Sequence, residues 1–137
     1  MLLFPEHSRV AGVSAAALGR PERLQRLPRT PLEHEYVFFV CTHARRDKRC
    51  GVAGRLVFFA LCDAIAAGGL AARAACLEMS HVGGHSLAGN VLVYPGGHLY
   101  GRVRVCHVQP LLERHLRGDR IPELYRGSQF DRDRELF

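Results

Sequence analysis

Two pairs of metal-ligating side chains stand far apart in this chain, and a fold must either bring them together or leave both without a purpose. Cys41 and Cys50 have eight residues between them, and thirty residues separate Cys50 from His81-Val82-Gly83-Gly84-His85. Each pair follows a stretch that reads as the end of a β-strand, the place where α/β sheets commonly put their sites. Two thiolates and two imidazoles make a complete four-ligand set. Thiolate sulfur suits zinc, copper(I) and iron–sulfur clusters, while neutral imidazole suits zinc and iron. A dinuclear iron–sulfur centre fits as well, with thiolates on one iron and imidazoles on the other.

The elements around these loops can be read in order. Tyr36-Val37-Phe38-Phe39-Val40 is a continuous β-branched and aromatic run, the mark of a strand buried on both faces, and it ends at Cys41. A polar loop, Thr42–Arg49, leads to Cys50-Gly51, which opens a helix to about Ala67. Leu56, Phe59, Ala60, Asp63 and Ala67 lie at helical spacing in a stretch apolar on most sides, which predicts a largely buried helix. Gly68-Gly69 stops it. Ala74–Met79 reads as a second strand directly before His81. Val91–Tyr94 and Leu99–Val103 flank the turn Pro95-Gly96-Gly97-His98 as a hairpin. Leu111 to Leu116 predicts a last helix, stopped by Gly118. Strand, helix, strand, hairpin, helix is the order of an α/β thioredoxin-like domain, a sheet flanked by helices, expected over residues 36–125. Residues 1–35, with Pro5, Pro21, Pro28 and Pro31, read as an irregular arm packing on that domain. Short helices are expected there at Ser14–Leu18 and Pro21–Leu27. Residues 126–137 read as a loosely held charged tail. There is no Cys-x-x-Cys pair, so ordinary thioredoxin chemistry is not expected.

Bulk properties narrow the class. A chain of 137 residues, 47% hydrophobic, is expected to form one domain with a single core. Uninterrupted apolar runs of about 18 residues are absent, so no membrane span is expected. The start, Met1-Leu2-Leu3-Phe4-Pro5-Glu6, lacks the pattern of a secretion signal. Five cysteines, an odd number, favour reduced thiols and a cytoplasmic setting. The net charge of +6 attracts acidic partners. Its one dense run, Arg45-Arg46-Asp47-Lys48-Arg49, has no interleaved aromatics, so a solvated loop is a better reading than a nucleic-acid site.

Each ligand has a dull reading beside it. Buried cysteines are common and inert. Cys41, however, leaves a strand into a charged loop, and Cys50 starts a helix whose dipole favours thiolate. Two histidines four apart can be chance among eight, but the two intervening glycines permit a fold-back that aims both rings at one point. Cys62 and Cys76 read as core thiols, Cys106 as structural, and His43 as an exposed loop residue that could tune the site. His7, His34, His98 and His115 show no partner pattern. Gly83-Gly84 lacks the following Lys-Ser/Thr of a phosphate loop. Nothing supports a Ser-His-Asp hydrolase.

Val40-Cys41-Thr42-His43-Ala44-Arg45-Arg46-Asp47-Lys48-Arg49-Cys50-Gly51 resembles the first motif of the sucrase/ferredoxin-like proteins, relatives of the thioredoxin-like ferredoxins. His81–His85, Ala88-Gly89-Asn90-Val91, Tyr94-Pro95-Gly96-Gly97 and Tyr100-Gly101-Arg102-Val103 resemble the second block. The likeness spans Tyr36 to Val103. It implies a [2Fe–2S] cluster held by Cys41, Cys50, His81 and His85, as in the branch of the family with bis-histidinyl ligation; ordinary relatives use Cys-x-x-x-Cys for the second pair. It also implies a soluble electron carrier rather than an enzyme, and a homodimer. No paired carboxylates stand out for the glycosidic chemistry in the family name. Two imidazoles in place of two thiolates remove two negative charges, so the potential should exceed that of an all-cysteine ferredoxin and couple to proton uptake. The basic loop would guide an acidic reductase or acceptor. Two alternatives keep the same residues: a zinc-binding structural or interaction module, and a thiol-redox enzyme using Cys41 or Cys50.

Overall fold

A computed structural model describes residues 2–3, 8–11, 13–14, 22 and 25–130. It divides into two units, Met1–Glu33 and His34–Phe137. In the first, β1 (Leu2–Leu3), β2 (Ser8–Val10) and β3 (Arg29–Pro31) form an antiparallel sheet in the order β1-β2-β3. The sequence reads as irregular here because strands of two or three residues carry no measurable period. The helices expected at Ser14–Leu18 and Pro21–Leu27 fall largely outside the described residues.

The second unit is built on a five-stranded sheet in the order β5-β4-β6-β7-β8. β4 (Tyr36–Cys41) pairs in parallel with β5 (Ala74–Met79), and the helix α1 (Arg55–Ala67) makes the crossover between them. β6 (Val91–Tyr94) runs antiparallel to β4, followed by β7 (His98–Tyr100) and β8 (Tyr125–Ser128). This is an α/β thioredoxin-like arrangement. The second hairpin strand is shorter than expected, ending at Tyr100, because Gly101 turns away to donate its N–H to Leu124 O at 3.0 Å. The tail expected from Arg126 is corrected too. Arg126 and Gly127 lie within β8, and Gly127 pairs with Leu99.

The main core lies between one face of the sheet and two helices. Phe38, Val40, Val91 and Val93 from the strands meet Val57, Leu61 and Ile65 of α1 and Val108, Leu111 and Leu112 of α2 (Val105–Leu116). On α1 the buried residues recur every four positions, one stripe of the helix. Leu56 and Phe59, expected inside with the rest of the helix, are more than half exposed. Cys50–Ala67 is long and apolar enough by composition to cross a membrane, although Arg55 and Asp63 interrupt it; here its inner stripe is covered by the sheet. The opposite sheet face carries a smaller cluster, Leu92 and Leu99 with Phe39, Met79 and Tyr94.

α2 starts six residues before the expected Leu111. Pro110 inside it reads as a breaker in sequence, yet Val108, Leu111, Leu112 and His115 are spaced as one helical face and all four are buried. His107 starts the helix by accepting the Arg104 N–H on Nδ1 at 3.2 Å, the part a Glu or Gln plays in a capping box.

His115, which shows no partner in sequence, is a core residue. Its Nε2 lies 2.7 Å from the buried Tyr100 hydroxyl, and the Tyr36, Phe38 and Tyr100 rings meet it edge-on. Burial, with His98 and Arg120 adding to it, pulls its pKa down to about 4. The folded state thus keeps this ring neutral where the unfolded chain, titrating near 6.5, protonates it. Stability should be full above about pH 6.5 and fall as pH drops towards 4, by up to about 3 kcal/mol at about 1.4 kcal/mol per pKa unit. Urea unfolding at pH 7.5 and 4.5 checks this. H115Q should be less stable at neutral pH but lose most of that slope.

Candidate metal centre

The parallel register sets Cys41 opposite Met79, so the two chain segments leave the sheet together. One leads to the loop ending at Cys50 and the other to His81. Thr42 N donates to Met79 O at 3.3 Å and Cys41 N to Asn90 O at 3.0 Å, fixing the strand end on both sides. Cys50 returns to Cys41 on a π-helical turn, Cys50–Gly54, that precedes α1. Gly54 makes the approach feasible: a Cβ there would stand 2.0 Å from the Cys41 carbonyl oxygen. Backbone packs directly on backbone at this point.

Cys41 and Cys50 are both fully buried. His81 Nδ1 lies 3.9 Å from Cys41 Sγ and 3.7 Å from Cys50 Sγ, and the three donor atoms fall within 4.8 Å of one another. His85 is outside this trio. It is exposed, at the start of a short 3-10 turn (His85–Leu87), and its ring stacks on that of His81 with centroids 6.0 Å apart. Three of the four expected ligands converge, and the fourth extends the set towards solvent.

The His81–His85 loop is held from behind by two residues that sequence reasoning gave no role. Asn90, fully buried, donates from Nδ2 to Gly83 O at 3.2 Å and Gly84 O at 3.1 Å. Arg126 lies 3.4 Å from Asn90 Oδ1 through Nη1 and packs against Gly84, where a Cβ would come within 2.6 Å of that nitrogen. Gly84 is left-handed at φ 59°, so the loop needs glycine for both space and conformation. Burial lowers the pKa of Arg126. Asn90 stands inside a recognisable motif, which is the signal that could have flagged it; Arg126 stands in none. His43, expected to be an exposed loop residue that could tune the site, is exposed and accepts the His81 N–H on Nδ1 at 3.3 Å, which ties the two loops together.

The electrostatics differ from the expectation of a ready thiolate at a helix start. Burial, reinforced by the hydrogen bond and charge of Cys41, pushes the Cys50 thiol up to about 11. A protonated, buried thiol is the opposite of an activated nucleophile, and a metal binding there must displace its proton. Asp47 takes two Arg49 side-chain hydrogen bonds, at 3.0 and 2.8 Å, and one from its backbone N–H, which hold its carboxyl far below the usual range. The donor chemistry of two dry sulfurs and an imidazole nitrogen suits zinc or an iron–sulfur cluster and suits a hard, oxygen-seeking cation poorly. Cys62 and Cys76 are partly buried, away from this group; burial and Cys62 raise the thiol pKa of Cys76. Cys106 is exposed on α2 rather than structural.

A model of the sucrase/ferredoxin-like family matches residues 1–127. "Altered inheritance of mitochondria protein 32" of Meyerozyma guilliermondii is 32% identical over 116 residues, covering 77% of this chain and 41% of that protein. Its namesake in Clavispora lusitaniae is 34% identical over 123 residues, 86% of this chain and 44% of that one. The chain thus spans less than half the length of these curated relatives. A thioredoxin-like [2Fe–2S] ferredoxin from Aquifex aeolicus superposes with a TM-score of 0.64 at 22% identity, over 74% of this chain and 99% of that chain, a likeness of fold alone. A cysteine-to-serine variant of the Aquifex aeolicus protein gives 0.59 at 25% identity, over 66% and 96%.

Gly54→Ala should push the start of α1 away from Cys41. Its unfolding free energy should drop by roughly 1–3 kcal/mol, the usual cost of forcing atoms into a packed site. Cadmium titration, read by the thiolate–metal absorption, should show weaker binding than wild type. Unchanged stability and binding would mean that the close approach does not position the two thiols.

Proposed function

The chain belongs to the sucrase/ferredoxin-like family, and from that premise we propose that Cys41, Cys50, His81 and His85 hold a [2Fe–2S] cluster and that the protein carries single electrons. The observation that supports this most is the convergence of two buried thiols on His81 with His85 stacked just beyond it. The set is graded from two buried sulfurs to an exposed imidazole. When bound, a cluster of this kind supplies one reversible electron site.

The surrounding residues have definable tasks. Cys41 and Cys50, once deprotonated, bring two negative charges to a site where both side chains are buried. Arg49 is close enough to Cys50 to favour its charged form. His81 and His85 bring nitrogen without charge, and Asn90 and Arg126 hold the loop that carries them. His85 is the exposed ligand, so electrons enter and leave on its side.

Zinc is a second reading with its own support. Sulfur–nitrogen separations of 3.7 and 3.9 Å come close to the edge of a tetrahedron around one zinc ion, about 3.5 Å for bonds of about 2.3 and 2.0 Å. Protein purified without oxygen decides between them. Brown colour with about two iron and two sulfide per chain supports the cluster; a colourless protein with one zinc supports the structural module.

Cys41→Ser and Cys50→Ser should each lose stable iron binding, and the metal-free wild type should melt lower than the loaded form. H81C and H85C should keep the visible absorption, because thiolate also ligates iron. Each adds a negative charge, so voltammetry should show a lower reduction potential in both. A potential unmoved by either substitution would remove the two histidines from the ligand set.

A further inference from the structure

An open groove of about 610 Å³ borders the exposed ligand. It is lined by His85 and Ser86, by Val52 and Ala53 of the π-helical turn, and by Arg102 and Arg104. Lys48 and Arg49 also line it, and among the described residues no acidic side chain does. Arg49 is held by Asp47 at 2.8 Å, which leaves Lys48, Arg102 and Arg104 to set the local sign. Arg102 is fixed in place: its backbone is left-handed at φ 56°, and its N–H donates to Leu87 O at 2.9 Å.

The floor continues into an apolar strip. Val52, Leu56 and Phe59, spaced along one side of the helix, are 66%, 58% and 54% exposed. Val105, next to Arg104, is 53% exposed. Isolated exposed apolar residues need no explanation, but a strip of them rimmed by cations beside a candidate metal ligand does.

We infer that this groove is the docking surface for an acidic redox protein that presents an apolar edge between carboxylates. The inference rests on the electron-carrier reading, since it is that reading which requires a partner near His85. Charge decides against a second copy of this chain, because two such rims would face each other with like charges. Shape decides against a bilayer, because a concave groove receives a protruding group and not a flat surface. Apolar contact holds the partner while the cations guide and orient it.

The test uses the full chain and flavodoxin, an acidic flavoprotein electron carrier, as the probe. Binding is measured by fluorescence anisotropy on metal-loaded and metal-free protein at low and high salt. The double variant R102E/R104E should weaken binding about tenfold or more at low salt, chiefly through a slower association rate, with the gap closing at high salt. V52S should weaken binding at both salt levels. Arg114→Glu, a charge reversal on α2 outside the groove, should change affinity less than about twofold. Circular dichroism verifies that each variant is folded. The proposal is overturned if R102E/R104E binds as wild type does, or if Arg114→Glu is equally damaging. It is also overturned if the protein prefers phosphatidylserine–phosphatidylcholine vesicles to flavodoxin, or if V52S instead dissociates a dimer in sedimentation. Iron and sulfide content, read separately on the same samples, reports on the cluster reading alone.

Discussion

The parallel pairing of β4 with β5 is the constraint on which the rest of the site depends. Because Cys41 stands opposite Met79, two segments distant in sequence leave the sheet side by side. A parallel pair requires a long crossover, and here the crossover is α1 with its π-helical first turn, which carries Cys50 back to Cys41. A one-residue slip in that register would turn Cys41 to the other face of the sheet and break the convergence. The core enforces the register by burying Phe38 and Val40 under α1 and α2. Packing that stabilises the domain therefore also sets the spacing of the donors.

Much of this was legible because the signals are local and strong. The apolar run before Cys41, Ala74–Met79 before His81, and the double glycine after Ala67 each mark an element on their own. What escaped depends on distant partners. Pro110 looks like a breaker until Val108, Leu111, Leu112 and His115 are seen to share one buried face. Arg126 looks like a charged tail until β8 pairs with β7 and brings its guanidinium against Gly84. Cys50 looks like a reactive thiol at a helix start until its burial beside Cys41 is taken into account, which pushes its pKa up. Leu56 and Phe59 fit a buried helix by composition, and only the direction of the sheet decides that they face outward.

The same fold separates a dry side from a wet side. Cys41 and Cys50 are sealed by backbone packing at Gly54, while His85 stands exposed beside a basic, apolar groove. Charge follows this division. The sulfurs are where negative charge would accumulate, and Arg49 stands close to Cys50; the outer rim of Lys48, Arg102 and Arg104 would meet an approaching partner. Stability has a separate anchor at the other end of the core, where His115 stays neutral against Tyr100. The two histidine environments are thus opposite: one ring is buried within the core, and two others stack beyond the end of β5, one of them exposed.

The central claim is that nitrogen from both His81 and His85 binds the iron that Cys41 and Cys50 do not. Pulsed electron paramagnetic resonance of the reduced protein tests it most directly, using histidine labelled with nitrogen-15. Two strongly coupled histidine nitrogens should appear in the wild type and one in H85C. A cluster signal without coupled histidine nitrogen, or an iron-loaded protein in which H85C leaves both couplings intact, would contradict the account.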